Sequence, residues 1–122
     1  MIAMKINMNV IPGKHLEMMQ TLIAIVEPTA KEAGCISYGI FTDIEDKYHF
    51  CLLEEWKTRK DLDRHVTSHR FGILLGTKAL LRNPMEIQIH TVSHSEGMDA
   101  IHLARGKNVT LLPADEQWRP LK

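Results

Sequence analysis

The chain has 122 residues, a mass of 14.0 kDa, and 15 basic and 15 acidic side chains, so its formal net charge is zero. This length is typical of one globular domain, and the balanced charge, short basic runs and aromatic content of 6% argue against a nucleic-acid partner. The sequence has no run of about 18 apolar residues and its N-terminus lacks a signal-peptide pattern, so we predict a cytoplasmic protein that does not interact with a membrane.

The N-terminal third of the chain predicts a strand followed by a helix. Apolar residues alternate with mostly polar ones over residues 4–11, as in a half-buried strand. Residues 15–33 carry apolar side chains at helical spacing, and Pro28 either ends this helix near Val26 or bends it into a further turn. Gly34 is the expected C-terminal stop.

The central stretch, residues 34–56, predicts two strands joined by an acidic turn, the second strand ending in Glu54 and Trp56. Thr58 is the predicted N-cap of the next helix, and Asp61 three residues later gives an acidic form of the capping box. Carboxylates and an indole therefore reach the point where a sheet meets a helix.

Residues 58–82 predict a second helical region with a break near Ser68, because Gly72 and Gly76 weaken its middle. Residues 85–92 alternate again and predict a fourth strand. The predicted order is β-α-β-β-α-β, an α+β domain of the ferredoxin-like type with an antiparallel sheet.

We assign residues 1–93 to this domain and residues 94–122 to a C-terminal extension. The extension is polar and contains two glycines and two prolines, with one short apolar patch at residues 109–112. It either packs on its own domain or on a second subunit, for example by adding residues 109–112 to a sheet edge, or is partly disordered. Both interpretations stay open.

The two cysteines, Cys35 and Cys51, fall in the two central strands. We interpret them as small core residues of a protein in a reducing compartment. A disulfide across the hairpin is the alternative.

Three short motifs of the central stretch are informative in combination. Residues 32–38 read EAGCISY, Glu54 and Trp56 form Glu-x-Trp, and a Leu-x-x-His-x-x-Ser-x-x-Phe pattern is made by Leu62, His65, Ser68 and Phe71. This combination resembles the antibiotic biosynthesis monooxygenase (ABM) family over residues 4–93. The resemblance implies ferredoxin-like protomers that pair as a homodimer, the dimeric α+β barrel, with a ligand cavity between sheet and helices in each protomer.

Some members of that family oxidise polycyclic phenols or quinols with O2 and use neither metal nor flavin. The resemblance therefore implies a cofactor-independent monooxygenase acting on a quinol or another small aromatic molecule. Such a reaction needs a base, a pocket of low dielectric constant and hydrogen-bond donors for the substrate anion.

His65 is the candidate base, since its unperturbed pKa of about 6.5 suits proton removal near neutrality, and Glu54 is the candidate that orients its imidazole. The structural alternative is that His65 pins a helix to a strand. The candidate substrate-binding residues are an indole, a phenol, an amide and a phenyl ring: Trp56, Tyr38, Asn7 and Phe71. For Trp56 and Tyr38 the structural alternatives are core packing and a barrel interface.

His65 and His69 stand four residues apart, but the sequence specifies no third ligand and a helix break is expected between them, so we predict no metal site and no other cofactor. The alternative function is a non-catalytic ligand-binding or stress-response dimer that holds a small hydrophobic molecule in the same pocket. A third possibility, an isomerase or phospho-sugar-processing enzyme, would need Arg64 or Arg70 as an anion site.

Overall fold

A computed structural model describes residues 1–106. Its sheet is antiparallel throughout, with the order β2-β3-β1-β4, and its strands are β1 (Ile2–Asn9), β2 (Cys35–Thr42), β3 (His49–Trp56) and β4 (Glu86–Thr91). The helices of this sheet domain are α1 (His15–Ala30), α2 (Arg59–Val66) and α3 (His69–Gly76), and a short 3-10 turn, Thr77–Leu80, follows α3. The predicted α+β ferredoxin-like fold is confirmed.

The core lies between one face of the sheet and the helices. Along β1 and β3 every second side chain is buried, as the period of two of a half-buried strand requires. The register places Met8 opposite Phe50 and Met4 opposite Glu54. The buried face of β3 therefore changes from apolar residues at one end to Glu54 and Trp56 at the other.

Helix α1 continues through Pro28 to Ala30, so it does not end near Val26. Pro28 lies in the last turn, where it removes the one N–H that would donate to the carbonyl of Ala24, and the helix ends two residues later. Gly34 then turns the chain into β2 with a φ of 82°, and a Cβ atom at this position would collide with the side chain of Asp61.

The N-cap predicted at Thr58 is confirmed, and a second N-cap lies at the predicted break near Ser68. Thr58 Oγ1 accepts a hydrogen bond from the Asp61 backbone N–H at 3.2 Å, and the Asp61 carboxylate accepts one from the Thr58 hydroxyl at 2.8 Å. Ser68 Oγ accepts from the Phe71 N–H at 3.2 Å and begins α3. The predicted break near Ser68 is therefore confirmed, and it is created by a second N-cap.

Both cysteines are free and half-buried. In the β2–β3 hairpin Cys35 lies opposite Trp56, whereas Cys51 lies opposite Phe41 near the other end of the strands. The alternative of a disulfide between them is therefore wrong.

The described chain divides into two compact units, Met1–Val92 and a second that begins at Ser93. The second unit contains a seven-residue helix, α4 (Met98–Ala104). The apolar patch at residues 109–112 lies outside the described residues, and the packing of the extension stays a prediction. Within residues 1–106 no helix has both the length and the apolar character needed to cross a membrane.

Candidate functional site

His65 lies in the last turn of α2 and is almost completely buried, with 2% of its surface exposed. Trp56 stacks on its imidazole, with ring centroids 4.7 Å apart and planes inclined by 27°. Phe71 and Tyr38 meet the imidazole edge-on, with centroids at 5.2 Å and 6.5 Å. The structure thus brings four of the predicted site residues together and encloses the imidazole with aromatic rings.

Glu54 lies beside this imidazole and is also buried, with 1% of its surface exposed. Its Oε1 accepts a hydrogen bond from Trp56 Nε1–H at 3.0 Å and lies 3.3 Å from His65 Nε2, an ion-pair contact without hydrogen-bond alignment. Its Oε2 has no hydrogen-bond partner among the described residues. Glu54 and Trp56 lie on the same face of the sheet because they are two residues apart along β3.

A second carboxylate, Glu32, meets the other side of the imidazole. His65 Nδ1 lies 3.0 and 3.2 Å from the two Glu32 oxygens, and Arg70 Nη1 donates to Glu32 Oε2 at 2.8 Å. Sequence reasoning missed Glu32 as a site residue, because 33 positions separate it from His65. Its only signal was its place at the start of the EAGCISY motif.

The two carboxylates dominate the electrostatics of the cluster. Burial acts to lower the pKa of His65, but the close contacts and negative charges of Glu54 and then of Glu32 outweigh it, so the pKa is raised. Burial, and then the negative charges of Glu54 and Glu32, raise the pKa of Tyr38 and of the Cys35 thiol. Tyr38 therefore keeps its proton at neutral pH and can act as a hydrogen-bond donor.

Asn7 does not reach this cluster. It lies on β1 between the buried residues Ile6 and Met8, so its side chain points to the opposite face of the sheet. Its neighbours there are Cys51 of β3 and Glu86 of β4. The prediction that Asn7 shares a pocket with Tyr38 is corrected accordingly.

The imidazole is closed off from solvent, but a cavity of about 510 Å³ at the sheet has Tyr38 and Glu54 in its lining. A separate cleft of about 530 Å³ opens between α1 and α3 beside Arg70. Its lining comprises Thr21, Ala24, Ile25, Ser68, His69, Arg70 and Ile73. His69 lies in α3 and lines this cleft, whereas His65 lies in α2. Across residues 1–106 no group of three or more His, Cys, Asp or Glu side chains is arranged to hold a metal ion.

A sequence model described as "Antibiotic biosynthesis monooxygenase" matches residues 1–72, the part of the chain that carries the whole cluster. The chain belongs to the antibiotic biosynthesis monooxygenase family. The predicted family membership is therefore confirmed.

Individual proteins are similar to this ABM protein over about three quarters of its length. The uncharacterized protein sll1783 of Synechocystis sp. is 31% identical over 91 residues, which cover 74% of this chain, and the chain spans only 62% of the length of that relative. A conserved protein from Methanosarcina mazei Go1 is 34% identical, with a TM-score of 0.69 over 73% of this chain and 89% of its own. PA3566 from Pseudomonas aeruginosa is 28% identical, with a TM-score of 0.68 over 76% and 94% of the two chains.

Proposed function

We propose that this chain is a cofactor-independent monooxygenase that oxidises a quinol or another small phenolic molecule with O2. One observation carries the proposal: a buried imidazole lies between two carboxylates and is enclosed by aromatic rings. Membership of the monooxygenase family supports the reaction type, and the substrate class is our proposal.

The chemistry begins with removal of a phenolic proton, because the resulting anion is electron-rich enough to react with O2. The His65–Glu54 pair takes this proton, and Tyr38 donates a hydrogen bond to the new oxyanion. Trp56 and Phe71 supply the apolar walls that hold an aromatic ring. For a naphthoquinol, one atom of O2 enters the ring to give a hydroxyquinone and the other leaves as water. The quinol supplies all four electrons that O2 accepts, two on oxidation to the quinone and two on hydroxylation of the ring.

We propose that the substrate enters through the cleft between α1 and α3. The volume of about 530 Å³ lies in the range of small-molecule sites. Arg70 lines the cleft and binds Glu32, which in turn contacts His65. Binding in the cleft is thus coupled through two contacts to the buried imidazole, and side chains must move aside for the ring to reach it.

We also propose that the working unit is a homodimer in a reducing compartment such as the cytoplasm, where free cysteines persist. The sheet face opposite the helices carries Phe41 and Leu53, which are 53% and 43% exposed. A second copy packed on this face would bury them and close the predicted barrel. Sedimentation should show a dimer at micromolar concentration, and a monomer there would contradict the proposal.

The test of the reaction is quinone formation from a reduced naphthoquinol under O2. The protein should exceed the autoxidation rate, and ¹⁸O2 should place one labelled atom in the product. His65→Ala should lose about 100-fold or more of the catalysed rate. His94→Ala is the matched control, because His94 is exposed and lies outside the sheet domain. A panel of quinols and anthrones that shows only background rates would contradict the proposal.

The second candidate is the non-catalytic ligand-binding or stress-response dimer, and the closure of the cluster favours it. With His65 and Glu54 almost fully buried, the ion pairs can serve to lock α2 onto the sheet while the cleft alone binds a small hydrophobic molecule. A compound that raises the melting temperature but is recovered unchanged under O2 would support this function.

The isomerase or phospho-sugar alternative gains no support from the two arginines it needs. Arg64 pairs with Asp61 at 3.1 Å and Arg70 pairs with Glu32 at 2.8 Å, so each already has a carboxylate partner.

A further inference from the structure

The contacts of the His65 ring favour one of its protonation states. Nδ1 lies 3.0 Å from Glu32 Oε2, and Nε2 lies 3.3 Å from Glu54 Oε1. A neutral imidazole has one N–H, so one of these nitrogens would turn a lone pair towards a carboxylate oxygen. Because His65 and Glu54 are buried and Glu32 is only 19% exposed, water screens this repulsion poorly. An imidazolium avoids it, since both nitrogens then carry a proton.

The charges around the ring lead to the same state. Arg70, Glu32, an imidazolium at His65 and Glu54 form a row of alternating charges whose sum is zero. A neutral His65 would leave one uncompensated negative charge in the core, which is costly. The stacked Trp56 ring also favours a cation on its face.

Every element packed around His65 is compatible with this arrangement. Strand β2 contributes Tyr38 and Cys35, whose raised pKa values keep them neutral near pH 7. Strand β3 contributes Glu54 and Trp56, and α3 contributes Phe71 together with Arg70. Glu32 comes from the turn after α1. The direction of the pKa shift of His65 is upward, as expected for a ring between two carboxylates.

We infer that Glu54, not His65, is the proton acceptor of the site, and that Glu32 and Arg70 are positioning residues that keep His65 as a fixed positive charge. This inference rests on the proposed oxygenase function. The phenolic O–H bond breaks, an O–H bond forms at Glu54, and the negative charge moves to the substrate oxygen beside the imidazolium. Glu54 Oε2 and His65 Nε2 are both buried without a hydrogen-bond partner within residues 1–106. Of the two, only the carboxylate oxygen can accept a proton when the ring is an imidazolium.

The two assignments predict opposite pH dependence. If His65 were the base, kcat would rise with pH as the imidazole loses its proton. With His65 as a required cation, kcat falls as pH rises through that titration and the alkaline limb belongs to His65. Glu32→Gln should move this limb to lower pH by about 1–3 units, because one of the two carboxylates that hold the proton is gone. Glu32→Asp should restore it in part.

Nitrogen NMR of protein labelled with ¹⁵N-histidine tests the state without any assay of activity. At pH 7.5 both His65 ring nitrogens of the wild-type protein should carry a proton, and Glu32→Gln should lose one of them at a lower pH than the wild type does. Glu27→Gln is the matched control, because Glu27 is an exposed carboxylate on α1 paired with Lys31.

An unprotonated ring nitrogen in the wild-type protein at pH 7.5 would overturn the inference, as would a His65 titration that Glu32→Gln leaves unmoved. The wild-type spectrum decides the first point even if the variants fold poorly. If no oxygenase activity is found but both nitrogens are protonated, the proposed function fails while the assigned charge state stands.

Discussion

The two ends of the core use the same strands in different ways. At one end, β1 and β3 bring Met8 opposite Phe50, and the buried face is apolar. At the other end the same alternation buries Glu54 beside Trp56, and helix α2 adds His65. Burying ionisable groups costs free energy that apolar residues would not cost. The end that buries Glu54 and His65 is therefore less favourable for stability than the apolar end, and we place the chemistry there.

Phe50→Ala tests the apolar end and should have the largest effect. Removing a fully buried phenyl ring should lower the free energy of unfolding by about 3–5 kcal/mol, because the cavity only partly collapses. Denaturant unfolding at pH 6 and pH 9 measures it. The loss should be the same at both pH values, and a strong pH dependence would contradict the separation of the two ends.

Gly34→Ala tests how the charged end is closed. Its φ of 82° disfavours an L side chain and its Cβ would collide with Asp61, so we expect a loss of about 2–4 kcal/mol. Gly13→Ala is the matched control at the apolar end, with a φ of 94° and no atom within 4 Å of the new Cβ. Equal losses in the two variants, measured by urea unfolding, would show that the close approach to Asp61 does not matter.

Glu54→Gln tests the buried carboxylate itself. We expect a loss of about 1–3 kcal/mol at pH 6, because the amide cannot compensate the charge on His65. The loss should shrink as pH rises and His65 becomes neutral. Thermal or urea unfolding across pH 6 to 9 measures this trend, and a loss that grows with pH would contradict the assigned charge state.

The pH dependence of the wild-type protein gives the smallest predicted effect. The folded-state pKa of His65 is raised above its unfolded value, so its stabilising contribution is complete below about pH 6.5 and is lost as pH rises through the folded-state pKa. The loss is about 1.4 kcal/mol for each unit of pKa difference. Urea unfolding from pH 6 to 9 should show stability falling in the wild type and a flatter profile in Glu32→Gln. Stability that rises over this interval would contradict the prediction.

Local patterns were sufficient for most of the fold. Alternation predicted β1, β2 and β4, and an apolar run after an acidic turn predicted β3. Thr58 marked the start of α2, and the predicted break near Ser68 separates α2 from α3. The same alternation also places Asn7 opposite to Ile6 and Met8. Our assignment of Asn7 to the pocket of Tyr38 therefore overlooked a signal that the sequence contained.

The pairing within the candidate site could not be predicted in this way. Glu32 and His65 meet only because the end of α1 and the last turn of α2 come together in space, and no period connects positions 33 apart. The charge on His65 depends on both carboxylates and on burial, all of which are tertiary properties. The motifs correctly predicted five neighbours, His65, Glu54, Trp56, Tyr38 and Phe71. They did not predict which of these residues would accept a proton.

In our proposal the charged end of the core receives the substrate. A crystal structure of the protein with a hydroxynaphthoquinone bound tests it most directly. We predict that the cluster opens and that a ligand oxygen lies within hydrogen-bond distance of Glu54 Oε2 or His65 Nε2. A ligand bound elsewhere while both side chains stay closed against Trp56 would contradict the account.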